Sequence, residues 1–130
     1  MISLLDRYLF VNEIIQHPAI RYSVCASMLG TLTIAMLYPH ISLPIAAIDK
    51  LAHWSAFFLL GIALLGPLSF AKTETITLLL VLSFGLEGAQ TFIAERQAGI
   101  ADLMANLLGV CCAISLVQLA TIMQRVKPSK

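Results

Sequence analysis

"IADLMANLLGVCCAISLVQLATIM", residues 100 to 123, carries one charged side chain, Asp102, near its start. A membrane hydrocarbon core about 30 Å thick is crossed by about 20 mostly apolar residues of helix. The stretch therefore reads as a spanning helix. Three further runs have the same character, at 22–38, 51–70 and 75–92, and with 100–123 they take up most of the 130 residues. The composition is 59% hydrophobic and 12% charged, with a mean hydropathy of +0.91, far from the balance of a soluble domain. The fold predicted is all-α, an integral membrane bundle of four transmembrane helices with no room for a soluble domain.

Ahead of the first run, "MISLLDRYLFVNEIIQHP" is apolar at 2, 4, 5, 8, 9, 11, 14 and 15 and polar at 6, 7, 12, 13 and 16. That spacing is helical and two-faced, and it lacks the basic start, unbroken apolar centre and cleavage site of a signal peptide. Residues 1–18 are thus expected to form an amphipathic interfacial helix ended by Pro18, followed by the four-helix domain over 19–124 and a basic tail over 125–130. Arg7, Arg21, Lys72, Arg125, Lys127 and Lys130 fall before the first run, between the second and third, and after the fourth. Lys50 and Arg96 fall in the other two connections. The positive-inside rule then places both termini in the cytoplasm and the connections at 39–50 and 93–99 outside. The net charge of +1 says little about partners, and nothing in the sequence reads as a nucleic-acid module, so no nucleic-acid partner is expected.

Short connections predict that successive helices pack as antiparallel neighbours. In lipid, helices associate through small residues that let backbones approach. Ala101, Ala105, Gly109 and Ala113 recur at every fourth position of the last run, with Gly61, Gly85 and Gly88 as partners on the others. Cys25, Cys111 and Cys112 fit no disulfide framework and read as small packing residues.

The ionisable residues share one depth. Asp49, Lys50 and His53 open the second run, Glu87 and Gln90 lie in the last turns of the third, and Asp102 and Asn106 occupy the first turns of the fourth. At a rise of about 1.5 Å per residue, each lies within roughly 10 Å of the outer end of its helix. Asp49 with His53 and Asp102 with Asn106 are i,i+4 pairs on one helix face. A charge facing lipid is unfavourable by about 2.5–3.5 kcal/mol on insertion scales, so these groups should converge on one another or on a wet pocket. Trp54, Tyr22 and Tyr38 read as interfacial anchors, His17 and His40 as solvated loop residues, and Glu74 as a helix-start acid.

The segments "DKLAHWSAFFLLG" and "EGAQTFIAERQAGIADLMANLLG", spanning roughly 49 to 110, closely resemble the VanZ-like family of small bacterial membrane proteins. The pattern is Asp-Lys-x-x-His, Glu-x-x-Gln, an Arg six residues on, then Asp-x-x-x-Asn-x-x-Gly. Here those positions are Asp49, Lys50, His53, Glu87, Gln90, Arg96, Asp102, Asn106 and Gly109. Ala94 stands where family members often carry Pro. The resemblance implies a bacterial cytoplasmic-membrane protein of the cell envelope and, through the founding member, a link to resistance against the glycopeptide teicoplanin. It implies no reaction.

Three functions fit the constellation. The first is an outward-facing pocket, formed by Asp49, Lys50, His53, Glu87, Gln90, Arg96, Asp102 and Asn106, that binds a polar or phosphorylated head group. Lys50 and Arg96 would be the anion contacts. The second is an enzyme acting on a lipid-linked substrate, with His53, Glu87 and Asp49 as the acid/base set. Ser55, two residues from His53, points to another helix face and offers no nucleophile. The third is a structural network that fixes helix register. A metal site on Asp49, His53, Glu87 and Asp102 lacks a diagnostic spacing, and a transporter lacks a midplane polar site. No cofactor is expected. The expected partners are membrane lipids and a lipid-linked cell-wall precursor or lipoglycopeptide, with a homo-oligomer left open.

Overall fold

The computed structural model describes residues 11–37, 46–93 and 99–126, and every regular element among them is helical. Residues 11–16 are helical and His17 is a bend, while the first ten positions of the expected interfacial helix lie outside the described residues. The helical segment stops at the bend before Pro18, and Pro18 also opens the next helix. A proline at a helix start forfeits no hydrogen bond and brings a suitable φ, so α1 runs Pro18–Leu37, with the Arg21 amide bonded to the His17 carbonyl at 2.9 Å.

The second helix, α2, spans Ala46–Leu65 and stops five residues short of the end expected at Phe70. Gly66 and Pro67 are the reason, since Pro67 has no N–H and cannot continue the ladder. The freed carbonyls are taken up by the turn itself: Gly66 N–H bonds Ile62 O at 2.8 Å, Leu68 N–H bonds Ala63 O at 3.0 Å, and Phe70 N–H bonds Leu64 O at 2.9 Å. Gln16 braces the turn, donating to the Pro67 carbonyl at 2.7 Å and to Ser69 Oγ at 3.2 Å. The third helix, α3, spans Lys72–Gln90, with Glu74 in its first turn where the helix dipole favours an acid. The fourth, α4, spans Ile100–Val126.

Among the described residues, three segments are long and apolar enough to cross a membrane: Pro18–Leu37, Ile48–Leu65 and Ile100–Arg125. α3, which carries Lys72, Glu74, Glu87 and Gln90 within 19 residues, is not among them. Large apolar side chains point outward, among them Ile34, Leu59, Val81, Phe84, Leu108 and Leu119, while His53, Glu87, Asp102 and Asn106 are buried. Apolar outside and polar inside is the arrangement of a membrane-embedded protein.

The most extensive packing joins α2 and α4, which are neither sequential nor antiparallel. Gly109 lies so close to α2 that a Cβ there would overlap the Trp54 carbonyl oxygen and sit 3.0 Å from the Phe58 nitrogen. Lower down, a Cβ on Gly61 would lie 2.7 Å from that of Ala113. Contacts 53 to 106, 54 and 58 to 109, and 61 to 113 rise together, so the two helices run parallel. The small-residue strip of α4 thus meets Gly61, as expected. It does not meet Gly85 or Gly88, which have nothing within 4 Å of an added Cβ. α3 completes the core through Leu79 and Leu86, packed with Phe57, Leu60, Leu64 and Val110.

Candidate polar site at one end of the bundle

Parallel packing of α2 on α4 brings their two N-terminal ends together, and antiparallel α3 delivers its C-terminal end to the same level. His53, Glu87 and Asn106 meet there, with exposures of 2%, 8% and 0%. His53 Nδ1 lies 3.0 Å from Asn106 Oδ1 and 3.8 Å from Glu87 Oε1. Asn106 Nδ2 donates to Glu87 Oε1 over a long 3.5 Å, and the Gly99 N–H donates to Glu87 Oε2 at 3.2 Å.

As placed, the amide nitrogen of Asn106 faces Glu87 and its oxygen faces His53. Opposite these oxygens, the His53 tautomer protonated at Nδ1 is the one that donates. The relay runs from His53 on α2 through Asn106 on α4 to Glu87 on α3, whose carboxylate also accepts from the Gly99 N–H just ahead of α4. Asparagine and histidine act in it as dipoles that position one another, with the carboxylate at the end.

A second contact lies at the rim. Lys50 Nζ approaches Asp102 Oδ1 to 3.5 Å, with the lysine side chain 43% exposed and the aspartate 9%. The pair is at ion-pair distance but is not aligned as a hydrogen bond, and Asp102 Oδ1 is buried without a hydrogen-bond donor. Asp102 sits in the first turn of α4, where the dipole also favours it.

Not every residue of the expected pocket joins the relay. Gln90, one turn from Glu87, turns toward α1 and donates to the Met36 carbonyl at 2.9 Å. It ties α3 to α1 at the same level. Asp49 is half-buried in the first turn of α2, and Arg96 lies outside the described residues. Ser55 returns its hydroxyl to the Ala52 carbonyl at 3.1 Å, in keeping with a face turned from His53. Trp54 stacks on Phe58 with centroids 4.9 Å apart and planes 11° apart. Among the described residues, no group of three or more His, Cys, Asp and Glu is arranged to hold a metal ion.

Two participants carry no side-chain signal: the Gly99 amide and the Met36 carbonyl. The amide is foreseeable in part, because the first N–H groups of any helix lack internal partners and a nearby acid is their natural acceptor. The carbonyl is one of the orphan acceptors at the end of α1.

Comparison with family models, curated proteins and solved structures finds no match to this chain.

Proposed function

We propose that this chain is a VanZ-like envelope protein of the bacterial cytoplasmic membrane, with four spanning helices and both termini inside. Its polar end faces outward and binds the polar or phosphorylated head group of a lipid-linked envelope component. The observation that supports this reading is the cost of what is buried. His53, Glu87 and Asn106 are withdrawn from water at one helix-end level, although apolar side chains of similar volume would hold such a contact as well or better. Polar groups at that depth point to a site by default. The relay forms its floor, and half-exposed Lys50 stands at its rim as the anion contact. The link to glycopeptide resistance rests on the sequence resemblance.

The proposal is tested by extracting lipids from the protein purified under gentle conditions and comparing them with those of Lys50→Gln at equal membrane abundance. A phosphorylated polyprenyl lipid enriched with the native chain and lost from the variant is the expected result. Identical lipid profiles would remove Lys50 from the reading.

The relay also favours a second reading, an enzyme acting on such a lipid. A histidine with its Nδ1 proton engaged is oriented for acid/base work. Incubation of membranes with labelled polyprenyl phosphates tests it, and it fails if no product forms.

A further inference from the structure

The opposite end of the bundle holds a separate feature. α2 and α4 run parallel with contacts offset by about 53 positions, so the end of α2 at Leu65 falls beside Val117 and Gln118. α4 continues to Val126, about eight residues and roughly 12 Å further, with no α2 neighbour. The notch left over is bounded by the turn after α2 and has a volume of about 500 Å³. That is within the roughly 300–1,000 Å³ usual for small-ligand sites.

Its lining is divided. Phe70, Ile114, Val117 and Ile122 supply an apolar wall, and Lys72 and Arg125 stand in the same lining. Both cations are exposed. The nearest acid in sequence, Glu74, lines a different cavity with Tyr22 and Thr75. An apolar slot that opens beside two cations, neither of them in an ion pair among the described residues, complements a molecule with an apolar tail and an anionic head. Basic pockets between membrane helices select lipids of that kind.

We propose that this notch binds an anionic phospholipid, one acyl chain lying along Phe70, Val117 and Ile122 and the phosphate held between Lys72 and Arg125. The site is independent of the polar end, and either can fail without the other.

The test exposes the purified full chain to mixed micelles holding equal phosphatidylglycerol and phosphatidylcholine with identical acyl chains, and counts retained lipid by native mass spectrometry. The native chain should retain the anionic lipid in roughly twenty-fold excess or more. Lys72→Gln with Arg125→Gln should bring the ratio near one, at roughly fivefold per cation, with helicity and total lipid unchanged. Lys72→Arg with Arg125→Lys should keep the preference, and Val117→Trp should lower retention of both lipids by filling the wall. On the native chain alone, raising ionic strength should erode the preference. Equal retention by the native chain, a preference that survives loss of both cations, or one indifferent to salt would overturn the assignment.

Discussion

His53 Nδ1 and Asn106 Oδ1 lie 3.0 Å apart, each on the first two turns of its helix, and this contact marks the register in which α2 and α4 run side by side. Asn106 is the middle of the relay, so truncating it strands a histidine N–H and removes a donor from Glu87. Asn106→Ala is expected to destabilise the protein by about 1–3 kcal/mol in a detergent unfolding titration. Combined with His53→Ala in a double-mutant cycle, the coupling should be about 0.6–1.7 kcal/mol. Additive losses would mean that the two side chains do not depend on each other.

The glycines make a prediction of opposite signs. Gly109→Ala forces a methyl against the Trp54 carbonyl and the Phe58 nitrogen, backbone atoms that cannot swing aside. It should cost about 1–3 kcal/mol and separate α2 from α4. Gly85→Ala meets nothing within 4 Å and gains helix propensity, so it should be neutral or stabilising by up to about 1 kcal/mol. Melting temperatures of the two variants in one detergent decide the matter.

Ser83 is fully buried on α3, and its hydroxyl has no hydrogen-bond partner. A buried, unpaired hydroxyl already costs the folded state its desolvation. Ser83→Ala should therefore leave the melting temperature unchanged or raise it, by the equivalent of about 1 kcal/mol. A clear drop would show that the hydroxyl is engaged.

Much of this architecture is legible in the sequence, for reasons that differ from element to element. Mostly apolar runs locate α1 to α4. Their ends are less legible: Leu68 and Phe70 extend the apolar run behind α2, but Pro67 ends the helix first. Pro18 could equally close one helix or open another, and only the bonding of Arg21 to His17 decides it. The common depth of His53, Glu87 and Asn106 follows from counting residues along the helices. Partner choice does not. Glu87 and Gln90 are three positions apart, near neighbours on the helix surface, yet the 60° between them sends one to α2 and α4 and the other to α1. Glycine spacing cannot say which glycines meet a neighbour and which meet lipid, because both surroundings are apolar. That α2 packs most extensively on α4 is equally hidden, since connection lengths constrain only sequential helices; their shared direction follows from antiparallel neighbours.

The most direct test of the polar end as a ligand site is photo-crosslinking in native membranes with a polyprenyl phosphate that carries a diazirine beside its phosphate. Mapping the modified peptides by mass spectrometry should place the label on 46–53 of α2 or 99–106 of α4, reduced by excess unlabelled lipid and by Lys50→Gln. Label spread evenly along the lipid-facing helices, or unaffected by competitor and variant, would contradict the account and leave the relay as a device for holding helices together.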